Sequence, residues 1–155
     1  YSKDDFGSEI TFIIPDYLEY KSEGWNIWKE SMKQADAYVK KLEIKLPNVR
    51  QKVGRLSGGN AQKVVFARVL ASGADILMLD HPTRGVDVGA KSEIYSIIRD
   101  IAAEGKSIIV LGDTLDESIG LANRIIVMKD GLITMEYDAP ADAKPEQVDI
   151  VRYMM

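Results

Sequence analysis

The sequence predicts an α/β domain built around parallel strands, and three observations lead there. Ile76–Leu79 and Ile108–Leu111 are short continuous apolar runs, the first ending at Asp80, and each reads as a strand buried on both faces. Ala90, Ile94, Ile97, Ile98 and Ile101 lie between them at the three-and-four spacing of one helix face, closed by Gly105. Strand and helix patterns alternate, which implies βαβ units with right-handed crossovers. The chain of 155 residues is 46% hydrophobic and 28% charged, enough apolar material for one globular core.

Residues 1–9 are polar and read as a frayed end. Ile10–Ile14 is a β-branched and aromatic run stopped by Pro15, a strand signal, and residues 16–24 read as a loop ending at Gly24. Trp25, Trp28, Met32, Ala35, Val39 and Leu42 trace a helical stripe, read as core packing with partner docking as the alternative. Pro47 breaks it. Leu56-Ser57-Gly58-Gly59 opens a second helix whose apolar positions run to Leu70 and Ala71 before Ser72-Gly73 stops it. A short helix near 115–122 leads into the strand Ile125–Met128. Lys129-Asp130-Gly131 then reads as a hairpin turn into Leu132–Tyr137. Residues 138–147 read as a linker, and 148–155 as a final helical turn or two.

Composition excludes several chemistries. The net charge is −4, from 20 Lys+Arg against 24 Asp+Glu, which argues against a nucleic-acid binder working through bulk charge. Without cysteine there is no disulfide, zinc ribbon or thiol nucleophile, and one histidine, His81, rules out a multi-histidine metal site. No apolar run approaches the roughly 18 residues that cross a bilayer. The first residue is Tyr and no basic-then-apolar leader occurs, so the chain is expected to be a piece of something longer.

Two motifs carry chemistry. Gly58 and Gly59, just ahead of a helix, let backbone approach a bulky anion, and the free N–H groups and dipole of the first turn favour phosphate. Ser57 supplies a hydroxyl that either caps the helix or donates to a phosphate oxygen. Asp80 ends a strand where open α/β sheets bind ligands; it either holds Mg²⁺ through water or caps a turn.

Together these residues resemble the ATP-binding-cassette (ABC) ATPases. Residues 56–63 (LSGGNAQK) are similar to the family's signature, and Ile76–Asp80 to its Walker B strand. Pro82–Lys91 (PTRGVDVGAK) resembles the D-loop of importers of the ribose, galactose and xylose kind. Ile108–Glu117 and Asn123–Gly131 resemble the switch region and final strand pair. The resemblance is to the second of two cassettes that such importers carry in one polypeptide. It implies a partial P-loop NTPase domain: a truncated start over 1–15, a helical and signature part over 16–72, a RecA-like part over 73–137 and a C-terminal tail over 138–155.

The departures are as specific as the matches. No G-x-x-x-x-G-K-[ST] occurs, so the Walker A loop is expected ahead of residue 1, with residues 13–16 (IIPD) near the family's Q-loop. His81 stands where the family has a general-base Glu. Imidazole accepts a proton but brings no negative charge, so His81 reads as an altered base or as the mark of a degenerate site. Asp113 stands where the family's switch loop has His, and a carboxylate facing a γ-phosphate repels it unless Thr114 takes the contact.

What the resemblance implies is a cofactor, ATP with Mg²⁺, and an arrangement of partners. Asp80, His81 and Asp113 belong to the nucleotide site in cis. Ser57, Gly58, Gly59 and Gln62 complete the site of a second cassette in trans, with Asp87 at the seam. The subunit lies peripherally on the cytoplasmic face of the membrane and drives permease subunits that receive solute from an extracytoplasmic sugar-binding protein. The alternatives are a non-hydrolytic regulatory cassette and a DNA-repair type of ATPase head. Residues 25–46 lack the sustained heptads of the latter's coiled coil.

Overall fold

A computed structural model describes residues 25–155, with side chains from residue 30 onward. The expected strand at 10–14, the loop at 16–24, the Q-loop residues and the rings of Trp25 and Trp28 lie outside the described residues. The first element is α1 (Trp25–Lys41), whose last turn carries Lys40 and Lys41, the sign its C-terminal dipole favours. A turn with Glu43 at φ 50° follows, then a short 3₁₀ turn at Val53–Arg55.

Helix α2 (Gly58–Ala71) starts at Ser57, whose side chain accepts from the Asn60 N–H, and it stops where Gly73 adopts φ +71°. Strand β1 (Ile76–Asp80) leads to α3 (Val88–Ala103), capped by Asp87 through the Ala90 N–H. Strand β2 (Ser107–Leu111) pairs with β1 in parallel, Ile76 opposite Ser107 and Asp80 opposite Leu111, which completes one βαβ unit. Helix α4 (Leu115–Leu121) is capped by Thr114. Strands β3 (Arg124–Lys129) and β4 (Leu132–Asp138) form the expected hairpin, and α5 (Gln147–Val151) ends the fold. Asp130 and Gly131 adopt φ 50° and 80° in the two-residue connection, the pair of positive angles that a type I′ turn requires.

One core cluster runs from Leu42 and Ile44 through Val64, Phe66 and Ala67 of α2 to Leu77 and Leu79 of β1 and the Ile94, Ile97, Ile98 and Ile101 stripe of α3. A second gathers Ile119, Ile125, Val127, Ala139 and Ile150. Phe66, Leu77, Ile94 and Ile101 are almost wholly buried, each stabilising the fold by about 1.5–3 kcal/mol relative to exposure.

Two expectations change. Among the described residues β1 and β2 are covered on one face only: Leu77 and Leu79 are buried while Ile76, Met78, Ile109 and Leu111 are exposed. A continuous apolar run implies two covered faces only where a layer lies against each, and the described helices pack against one. As expected, the described strands give a parallel pair, β1–β2, and a separate antiparallel hairpin, β3–β4. Residues 138–147 are no free linker. Ala139 is fully buried and its N–H donates to the Asn123 carbonyl at 2.7 Å, while Lys144 Nζ donates to the carbonyls of Ala122 and Ala139 at 2.6 and 2.9 Å.

Candidate functional site

The parallel pairing of β1 and β2 sets the first group of site residues. Asp80, opposite Leu111, is the last residue of β1, and its side chain is 79% exposed. The chain then enters His81, whose N–H donates to the Leu111 carbonyl at 2.9 Å and whose φ is 46°. That left-handed backbone is uncommon for a residue with a Cβ and tolerated better by His than by most. Asp113 follows β2 by two residues. Its Oδ1 lies 3.0 Å from His81 Nδ1, and Asp80 Oδ1 lies 3.6 Å from His81 Nε2. The structure therefore brings Asp80, His81 and Asp113 together at the C-terminal ends of parallel strands, with the imidazole between two carboxylates. The Asp113 contact is at ion-pair distance without hydrogen-bond alignment, so the buried Nδ1 has no hydrogen-bond partner.

The second group opens α2. Ser57 Oγ accepts from Asn60 Nδ2 at 2.9 Å and from the Asn60 N–H at 3.5 Å, which leaves its hydroxyl hydrogen to donate. Asn60 Oδ1 in turn accepts from the Lys45 N–H at 2.7 Å, tying the signature to the turn after α1. Gly58 and Gly59 are packing residues. A Cβ on Gly58 would come within 3.0 Å of the Gly85 carbonyl oxygen, and one on Gly59 within 2.6 Å of Ala90 Cβ. The signature turn is thus seated on the segment that follows Thr83. Gln62 is half-buried on α2. Asp87 caps α3, its Oδ1 accepting from the Ala90 N–H at 2.9 Å.

Between these groups lies a residue that the sequence marks only as the end of the switch-like stretch. The Glu117 side chain is 6% exposed. Its Oε1 accepts from Thr83 Oγ1 at 2.7 Å, Lys91 Nζ at 2.8 Å and Tyr95 OH at 2.6 Å, and its Oε2 from the Asp113 N–H at 3.0 Å. Burial pushes this carboxyl upward, but the hydrogen bonds from Lys91, Tyr95, Thr83 and the Asp113 backbone outweigh it and hold it at about 2. The same contact raises Lys91, and Tyr95 is raised by burial and by its bond to Glu117. The partners stand 34, 26 and 22 residues away along the chain, so no local pattern announces them.

The donor set bears on Mg²⁺. Among the described residues no group of three His, Asp or Glu side chains forms a metal cage. An exposed Asp80 at a strand end suits a cation held through water. A single carboxylate fits Mg²⁺, which keeps most of its waters, better than a metal that needs an all-protein shell.

Known proteins match this geometry. The family model described as ABC transporter matches residues 5–84. A putative ribose/galactose/methyl galactoside import ATP-binding protein of Halalkalibacterium halodurans is 48% identical over 127 residues, 82% of this chain and 24% of that protein. The xylose import ATP-binding protein XylG of Geobacillus kaustophilus is 45% identical over 115 residues, 73% of this chain and 23% of that protein. The chain thus spans about a quarter of the length of these relatives. A dimeric ATP-binding cassette in a post-hydrolysis state, bound to ADP and Pi, superposes with a TM-score of 0.63 at 28% identity, covering 79% of this chain and 53% of that one. A nucleotide-free cassette reaches 0.71 at 22% identity, covering 93% and 56%, and speaks for the fold alone. The family match covers just over half of the 155 residues and the fold superposes on solved cassettes, so this chain belongs to the ABC transporter family and carries part of its cassette fold.

Proposed function

We propose that this chain is the C-terminal part of the second cassette in the ATP-binding subunit of a sugar importer, working at the cytoplasmic face of the membrane. The observation that carries the reading is the convergence of Asp80, His81 and Asp113 at one end of β1 and β2, beside a capped signature helix seated on a different segment. The relatives' names supply the substrate class, a pentose or hexose, and the adenine nucleotide. No described helix is long and apolar enough to cross a membrane.

Each residue then has a task. ATP with Mg²⁺ supplies a phosphoanhydride whose γ-phosphoryl is transferred to water. Asp80 would hold the metal through water. His81 would accept a proton from the attacking water at Nε2, its buried Nδ1 being turned toward Asp113. Ser57, Gly58, Gly59 and Gln62 present hydroxyl, backbone N–H and amide groups to nucleotide held by a second cassette, and Asp87 stands at the seam. The permease docks beside residues 16–55 and receives solute from an extracytoplasmic sugar-binding protein. A second reading is a cassette that binds nucleotide without hydrolysing it, favoured by an imidazole in the position of the family's carboxylate base and by its Nδ1, buried without a hydrogen-bond partner.

The test is Ser57→Arg in the full-length protein, with nucleotide at the two sites followed separately in single turnover. The loss is expected at the site of the second cassette, on the order of 10²-fold for a displaced phosphate contact. A loss confined to this cassette's own nucleotide refutes the in-trans assignment. No phosphate release from the Asp80–His81 site in the unmodified protein selects the non-hydrolytic reading.

A further inference from the structure

Asp113 and His81 face each other across 3.0 Å, yet they sit on two separate irregular segments, one after each strand. Neither segment is fixed by the β1–β2 ladder beyond the His81 N–H bond to Leu111. One side chain spans both. Glu117 Oε2 takes the Asp113 N–H at 3.0 Å, and Oε1 takes Thr83 Oγ1, two residues beyond His81, at 2.7 Å. Thr83 is fully buried, so its hydroxyl has no exchange with bulk water to fall back on. Lys91 and Tyr95 of α3 hold the same carboxylate from the side at 2.8 and 2.6 Å. Four donors on one buried group leave it a single stable position.

We propose that Glu117 is a positioning residue of the nucleotide site, a clasp that ties the Asp113 segment to the His81–Asp87 segment and so sets the spacing of the Asp80–His81–Asp113 group. Glu117 touches neither nucleotide nor metal; it acts through the two segments it joins. The clasp also reaches the signature, because Gly85, on the clasped segment, presents the carbonyl against which Gly58 packs. The inference rests on the nucleotide-site reading for its consequence, but the clasp itself stands on contacts alone.

Glu117→Gln is the direct perturbation. A carboxamide has one acceptor oxygen in place of two and no charge, so it cannot accept from the Asp113 N–H on one oxygen and from Thr83, Lys91 and Tyr95 on the other. Lys91→Met is the comparison, since it removes the side support and leaves both segments joined. Thr83→Val cuts one arm of the clasp and carries the test if Glu117→Gln does not fold. In the full-length protein the imidazole resonances of His81, assigned by their loss in His81→Gln, are followed by NMR. Mg-ATP turnover is measured alongside. Glu117→Gln and Thr83→Val are expected to move the His81 resonances, and Lys91→Met to leave them in place. Turnover at this cassette is expected to fall on the order of 10²-fold, the cost of about 1 Å of misplacement, with ATP affinity changed far less. Wild-type His81 resonances in both clasp variants overturn the proposal, as does an equal displacement in Lys91→Met. A wild-type protein that neither binds nor hydrolyses ATP overturns the nucleotide-site reading instead, and the resonances still decide the clasp.

Discussion

Gly59→Ala is the substitution for which the structure gives the clearest magnitude. Two effects oppose each other. Gly59 lies in the first turn of α2, and replacing a helical glycine by alanine gains up to about 1 kcal/mol of propensity. The new Cβ would stand 2.6 Å from Ala90 Cβ, about 1 Å inside ordinary carbon contact. The obstructing atom is fixed to the backbone of α3, so the two helices must separate. Overpacking of this kind costs about 1–3 kcal/mol. The loss therefore wins, by about 1–2 kcal/mol, a fall in melting temperature of about 2–8 °C for a chain of this size. Ala90→Gly removes the obstruction. Alone it costs up to about 1 kcal/mol of helix propensity, but in the double variant it restores contact between the helices. The two changes should thus be less harmful together than their sum, with a coupling of about 1–2 kcal/mol. Thermal and urea unfolding of the four proteins completes the cycle. A Gly59→Ala protein that melts at or above wild type, or a double variant no better than the sum of the singles, refutes the view that the second signature glycine is held by packing on α3.

The same change elsewhere has the opposite sign: Gly120, inside α4, has open space where a Cβ would go. Gly120→Ala should raise stability by up to about 1 kcal/mol, and a lower melting temperature would contradict that space. For Glu117, holding the carboxyl at about 2 instead of its ordinary 4.5 is worth about 3 kcal/mol, present in full above 4.5 and lost as pH falls through that window. The stability gap between wild type and Glu117→Gln should therefore shrink as pH falls from 4.5 to 2; a constant gap shows that the charge is not what the four donors stabilise. His81→Glu in the full-length protein should raise the single-turnover rate by supplying the missing anionic base. An unchanged rate places the limit elsewhere in the site.

What was legible in the sequence was mostly what is local. The start of α2 could be read because Ser57 satisfies an N–H three residues on, so cap and helix sit in one short window; Asp87 and Thr114 cap α3 and α4 in the same way, though the sequence was read for other roles there. The hairpin could be read because Asp130-Gly131 meets the angles its turn needs. Asp80 and His81 could be located because a strand end is marked by the run before it. Burial depends on more than the run itself: residues 76–79 marked a strand, but each face is covered only by what packs there, and the described helices lie against one. The clasp was illegible for a plainer reason. Glu117 finds Thr83, Lys91 and Tyr95 only after α3 has packed beside the strands, and an isolated Glu on a seven-residue helix resembles any solvated one.

Two readings set against each other by sequence turn out to be compatible in structure. Ser57 was either a cap or a phosphate donor, and Gly58-Gly59 either an anion approach or a plain helix start. Ser57 Oγ accepts twice from Asn60, which fixes its direction and spends its lone pairs, yet its single hydrogen is left to donate. Capping is thereby a means of aiming that hydrogen rather than a competitor for it. Gly58 and Gly59 likewise lack side chains for a packing reason: the Gly85 carbonyl and Ala90 occupy the space that a Cβ would take. A cap that leaves a donor free, and glycines that seat the turn against the Gly85 carbonyl and Ala90, therefore serve the helix start whether or not the turn also meets a phosphate.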